Sequence, residues 1–217
     1  MKGNMKKLNL SSFLAVLLIL AFSLTSCGKK DVKTDTKTDT KTDTKTQTTD
    51  KKEGDKKKKE IKKSDAPKKE LKSEVPAEWT ELVSKDGKFT FSAPSNWNIT
   101  SDTETKFTAM SEDKTMGTTF VIFSNDQITA DELLGLALAD FDFEPDGEAF
   151  AYTEGNMEGY ITAARGKIDG ADMMMYVMSA IENGGKGNYV LYIFTPTANF
   201  EKNNATMEKI LYSAKLK

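Results

Sequence analysis

Apolar residues follow three regimes along this chain. Phe13 to Phe22 (FLAVLLILAF) is a run of ten without a polar break. From 28 to 75 they nearly vanish, leaving Val32, Ile61, Ala66, Leu71 and Val75. After 76 they return in patterned runs. Phe89 and Phe91 alternate with Thr90 and Ser92, which predicts a half-buried strand ended by Pro94. Phe107 and Ala109 predict another. Gly117–Phe123 (GTTFVIF) is apolar on both faces by its end, as in a central strand. Thr129 with Glu132 three residues on forms a capping box, and Leu133, Leu134, Ala137, Leu138 and Phe141 then fall on one stripe. A helix is predicted over about 130–142.

Four strands should follow, at Glu148–Thr153, Met157–Lys167, Asp172–Glu182 and Asn188–Thr195. They are punctuated by Gly155-Asn156, Asp169-Gly170 and Asn183-Gly184-Gly185. Asp-Gly between two β runs signals a hairpin, because its tight turn needs positive φ. A second helix is expected over about 198–211, facing inward with Phe200, Met207, Ile210 and Leu211, then a short strand at 213–216. The fold class implied is α+β, an antiparallel sheet flanked by helices. The 142 residues after 75 are enough to bury about 70% of their unfolded surface without disulfides.

Charge divides the chain at the same places. The whole carries 31 Lys+Arg, 33 Asp+Glu, no His and one Cys. Its net charge of -2 averages a basic start, a tether with 17 Lys against 11 acids, and a domain over 76–217 with 11 bases against 22 acids. Without His there is no Ser-His-Asp triad, Cys-His pair or His-ligated zinc. A single Cys excludes an internal disulfide.

Residues 1–26 have the form of a signal peptide. Lys2, Lys6 and Lys7 precede the apolar run, which is too short to span about 30 Å of hydrocarbon as a stable helix. Leu24-Thr25-Ser26-Cys27-Gly28 resembles the lipobox of bacterial lipoproteins, and that resemblance implies a diacylglycerol on Cys27. Two acyl chains suffice for stable anchoring. Residues 27–75 are then the lipidated Cys and a tether, with a KTDT repeat over 33–48. Its composition predicts disorder. Its Lys excess suits anionic lipid or an acidic wall polymer, or a soluble spacer with intermixed charges.

Lys85-Asp86-Gly87-Lys88-Phe89-Thr90-Phe91-Ser92-Ala93-Pro94 followed by Trp97 resembles the opening of PsbP-like domains. The helix, the meander and the ending Phe200…Ile210-Leu211-Tyr212-Ser213-Ala214-Lys215-Leu216 fit the same family over about 77–217. The resemblance implies an α/β/α sandwich. Its superfamily includes the photosystem II protein PsbP, Ran-binding nuclear-transport proteins and envelope lipoproteins of the DcrB type, many of them accessory or binding proteins without catalysis.

Candidate sites are few. Asp140, Asp142, Glu144, Asp146 and Glu148 alternate past the first helix. Asp142, Glu144 and Asp146 are the candidate metal ligands, and Ca²⁺ is the one cofactor they suggest. Counted as an EF-hand from Asp142, Gly147 falls correctly at position six, but Thr153 stands at position twelve and Pro145 intrudes. Met173, Met174, Met175 and Met178 suggest a soft metal, yet on a strand they divide between two faces, as core residues do. Arg165, the only Arg, could grip an anion or pair with an acid. Trp79 could stack on a ligand, whereas Trp97 packs at the end of a strand. No nucleophile elbow, Ser-x-x-Lys or phosphate loop occurs in the domain.

These features predict a lipid-anchored, extracytoplasmic accessory or binding protein, non-catalytic, engaging an envelope or surface partner through its acidic domain. It would be membrane-associated by its N-terminal lipid and would bind no nucleic acid. The alternatives are a lipid or metal carrier with a pocket between sheet and helix, and a carboxylate-based hydrolase.

Overall fold

A computed structural model describes residues 58–72, 74–123, 128–155, 157–182 and 187–216. The expected signal peptide over 1–26, Cys27 and the expected tether as far as residue 57 lie outside the described residues.

The centre of the domain is a meander of long strands. Met157–Ile168 (β9), Ala171–Glu182 (β10) and Asn188–Pro196 (β11) run antiparallel. The β9–β10 turn is the Asp-Gly pair, with φ of 50° at Asp169 and 79° at Gly170, the left-handed conformation that a two-residue hairpin requires. Gly117–Phe123 (β6), Lys106–Ser111 (β5) and Trp97–Thr103 (β4) extend the sheet beyond β11. Phe150–Glu154 (β8) pairs with β9 on the other side, and the short Glu144–Pro145 (β7) also pairs with β9.

Two helices lie on opposite faces of this sheet. Ala130–Asp140 (α1) packs on β9, β10 and β11. Its N-terminus has the capping box, with the Thr129 N–H donating to Glu132 Oε2 at 3.2 Å. Leu133, Leu134, Ala137 and Leu138 are completely buried, and Phe141 closes the helix edge-on to Tyr192. Phe200–Ser213 (α2) covers the other face with Met207, Ile210 and Leu211, beside a three-stranded sheet of Trp79–Val83 (β2), Phe89–Pro94 (β3) and Lys215–Leu216 (β12). The two sheets meet where Phe89 stacks on Phe120 at 3.6 Å between ring centroids. The architecture is therefore α+β, in layers, with one core on each face of the large sheet.

Three elements differ from expectation. The 89–94 strand is central in its own sheet, between β12 and β2, so Thr90 is buried along with Phe89 and Phe91. The strands β2 and β4 carried no clear alternation because both are edge strands with mostly exposed side chains. Residues 58–72, which composition places in the tether, run along the domain. The Ser64 N–H donates to Ala149 O at 2.8 Å and the Ala149 N–H to Lys62 O at 2.8 Å. Lys69–Glu70 (β1) then pairs in parallel with β8. Leu71, one of the few apolar residues of the stretch, packs against the core.

Candidate functional site

The acidic run is organised by cations of this chain. Lys59 Nζ reaches Asp142 Oδ1 at 3.0 Å and Glu144 Oε1 at 2.5 Å, and both bonds hold its ammonium above the usual lysine range. Arg165, opposite Glu144 on β9, pairs instead with Asp146. The three expected metal ligands are thus divided between two cations. Among the described residues no group of three or more acid, His or Cys side chains converges.

Other lysines continue the pattern along α1 and the sheet. Lys58 meets Glu132 at 3.1 Å, Lys63 meets Asp131 at 2.8 Å and Lys68 meets Glu158 at 2.6 Å. Lys63 holds the Asp131 carboxyl down to about 2. The chain crosses α1 where the helix has Gly135. A β-carbon there would stand 2.7 Å from Lys59 O, so this glycine is the gap through which the strap passes. Residues 58–68 form an extended lysine-rich strap seated on the acidic side of the domain. The sequence displayed both sets of charges without their pairing, because a run of lysines in a polar stretch reads as solvated spacer.

The remaining candidates have structural surroundings. Met173, Met174, Met175 and Met178 are all buried, with Met178 in the core facing α2. Trp79 is half-buried against that same core, and Trp97 packs edge-on to Phe91. The apolar gap bounded by Phe89, Phe120, Met157, Met178 and Tyr189 has a volume of only about 10 Å³. It has no room for an acyl chain.

Glu154 belongs to none of these groups. Glu154 ends β8 on the face that carries Phe150 and Tyr152 toward the core, and a carboxylate at that alternation is the signal that marks it. Its Oε2 is shut off from solvent and accepts no hydrogen bond from the described residues. Burial pushes the carboxyl up to about 7, with the charge of Lys215 pulling it partway back. Beside it lies a cavity of about 330 Å³.

No family model matches the chain, and no curated protein does. Solved structures do. The Ran-binding protein Mog1p of Saccharomyces cerevisiae is similar at 9% identity and TM-score 0.47, covering 64% of this chain and 95% of Mog1p. Cyanobacterial PsbP (CyanoP) of Synechocystis sp. PCC 6803 is similar at 11% identity and TM-score 0.46, covering 66% of this chain and 95% of that one. LpqN of Mycobacterium tuberculosis, described as involved in cell envelope biogenesis, is similar at 13% identity and TM-score 0.45, with 64% and 90% covered. The chain spans about half (49%) of a Bacteroides thetaiotaomicron structure that it also matches, at 15% identity, TM-score 0.45 and 64% of its own length. The chemistry of the site rests on this chain's own residues. No helix among the described residues is long and apolar enough to cross a membrane.

Proposed function

We propose that this chain is a lipid-anchored, extracytoplasmic accessory protein that binds rather than catalyses, and that the acidic side of its domain engages a lysine-bearing segment of an envelope protein. The strap carries this reading. Asp131, Glu132, Asp142, Glu144 and Glu158 already accept an extended lysine-rich stretch in cis. Exposed ion pairs of this kind contribute little each, about 0–1 kcal/mol. A partner offering similar charges can therefore compete for the face at modest cost. The lipobox-like sequence at Cys27 supports the anchored, extracytoplasmic location.

In-cell photo-crosslinking from position 136 tests the proposal. Leu136 is exposed on α1, next to the strap crossing. Discrete adducts with envelope proteins are expected, and they should disappear when Asp131, Asp142 and Glu144 are together replaced by Lys. Adducts that survive that charge reversal, or recovery of no protein adduct at all, would overturn the reading.

A further inference from the structure

The strap lies over the outer edge of β8 but is in register with it at only two places. Lys63 bridges Ala149, and β1 joins Lys69 to Tyr152 and Glu70 to Thr153, all in parallel. We propose that the stretch between those bridges receives an extended, lysine-bearing peptide of the partner as an added parallel strand, which displaces the strap. The proposal rests on the acidic side being the binding face and adds how the segment is held there.

The strap fits this edge poorly. Between its bridges it uses Ser64, Asp65, Ala66, Pro67 and Lys68, where the edge has only Phe150 and Ala151. The surplus loops out. The Ala66 N–H turns back to Ser64 Oγ at 3.4 Å, and Pro67 has no N–H to give. The Ala149 N–H and C=O both face the strap, bonded to Lys62 O and to the Ser64 N–H. Strand residues alternate, so Ala151 presents its own N–H on the same side. No described residue of the strap stands in register with it, and Ala151 is partly exposed. An incompletely paired edge is a template for another strand, and main-chain bonds to such an edge are a general means of holding an extended peptide.

Charge names the occupant. Along this path Lys59 reaches Asp142 and Glu144, and Lys63 reaches Asp131. The Lys63 ammonium also lies 5.3 Å from the centroid of the Tyr160 ring, and that of Lys69 lies 4.6 Å from the centroid of Phe150. Both rings attract a cation over their faces. A segment with lysines at both ends and an unbroken β-forming centre would meet the same groups and pair the edge continuously. The strap of a second copy is a poorer occupant, because it carries the same surplus and the same Pro67.

The test uses the purified full-length chain and a synthetic peptide with the sequence of 58–72 in which Thr-Val replaces Ser64–Lys68. That replacement brings both bridges into one continuous register. A second peptide differs only by a methyl group on the Thr backbone nitrogen, the one placed to donate to Ala149 O. Its charges are identical. Saturable binding of the first peptide is expected, with hydrogen exchange at least tenfold slower at Ala151 and faster at Ser64 as the strap leaves. The methylated peptide should bind at least tenfold more weakly. Replacing Ser64–Lys68 by Thr-Val in the chain itself should close the edge in cis and weaken peptide binding to a similar extent. Binding that survives joint replacement of Asp131, Asp142 and Glu144 by Lys would keep the added strand while removing the acidic side as its cause. Equal binding of the two peptides would overturn strand addition and leave the charge reading standing. Absence of saturable binding, or unchanged exchange at Ala151, would also overturn the proposal.

Discussion

Glu154 sits on a strand face otherwise turned to the core, and its protonation couples directly to stability. The folded chain holds this proton up to about pH 7, whereas an unfolded carboxylate releases it near the ordinary value of 4.5. Between those values the native state binds more protons than the unfolded state, so stability falls as pH rises. Its contribution is fully present below the ordinary value and is lost through about pH 7. Glu154→Gln keeps the shape and removes the ionisation. Because the side chain is only half-buried, the gain at pH 8 should be about 1–2 kcal/mol after allowance for solvent screening, with little change near pH 4. Urea unfolding of both proteins at the two pH values checks this, and a constant difference between them would refute the coupling. The acidic run makes the opposite kind of residue-scale case. Lys59 and Arg165 already pair with Asp142, Glu144 and Asp146, so a calcium titration should leave the melting temperature unchanged. A saturable rise would show that the cation displaces them.

Among the elements, the strap is the one whose stability rests most on charge. Its anchors are exposed ion pairs, a few edge hydrogen bonds and Leu71, and it covers the otherwise open edge of β8. Gly135 makes the passage over α1 possible. Gly135→Ala should raise the intrinsic preference of that helix by up to about 1 kcal/mol, yet its β-carbon collides with the Lys59 backbone. The expected result is an intact helix with a displaced strap, read as faster hydrogen exchange at Ser64 and Ala149 and faster tryptic cutting over 58–63. Unchanged exchange would mean that the strap is held elsewhere. High salt should act in the same direction by screening the pairs. These details explain what was legible in the sequence. The helices, the Asp169-Gly170 hairpin and the long strands β9–β11 announce themselves, because local periodicity and turn chemistry decide them. The edge strands β2 and β4 do not, since exposed strands need no alternation. The strap and the Glu154 cavity were hidden for a further reason: both depend on which distant surfaces meet. A lysine-rich stretch changes meaning only when acids of α1, β7 and β9 are opposite it.

For the whole molecule, the proposed lipid on Cys27 and the lysines that follow it are the two candidate forces that set where it resides. They make different predictions. Two acyl chains hold a protein to a bilayer through buried methylenes, about 0.8 kcal/mol each, and salt barely affects that attachment. A basic segment near anionic lipid gains about 1 kcal/mol per lysine at the surface, and screening removes it. Seven lysines of residues 58–72 lie alongside the domain, where Lys58, Lys59, Lys63 and Lys68 pair with its acids. Those four are therefore less available to lipid than their number suggests, and the domain beyond 75 is itself acidic. Electrostatic attachment should consequently be weak, with the lipid decisive. The native chain should remain in the membrane fraction through a wash at high salt. Cys27→Ser should abolish acylation and leave any residual association removable by that same wash. Salt-resistant retention of the Cys27→Ser chain would refute lipid anchoring, and loss of the native chain at high salt would assign its attachment to the lysines.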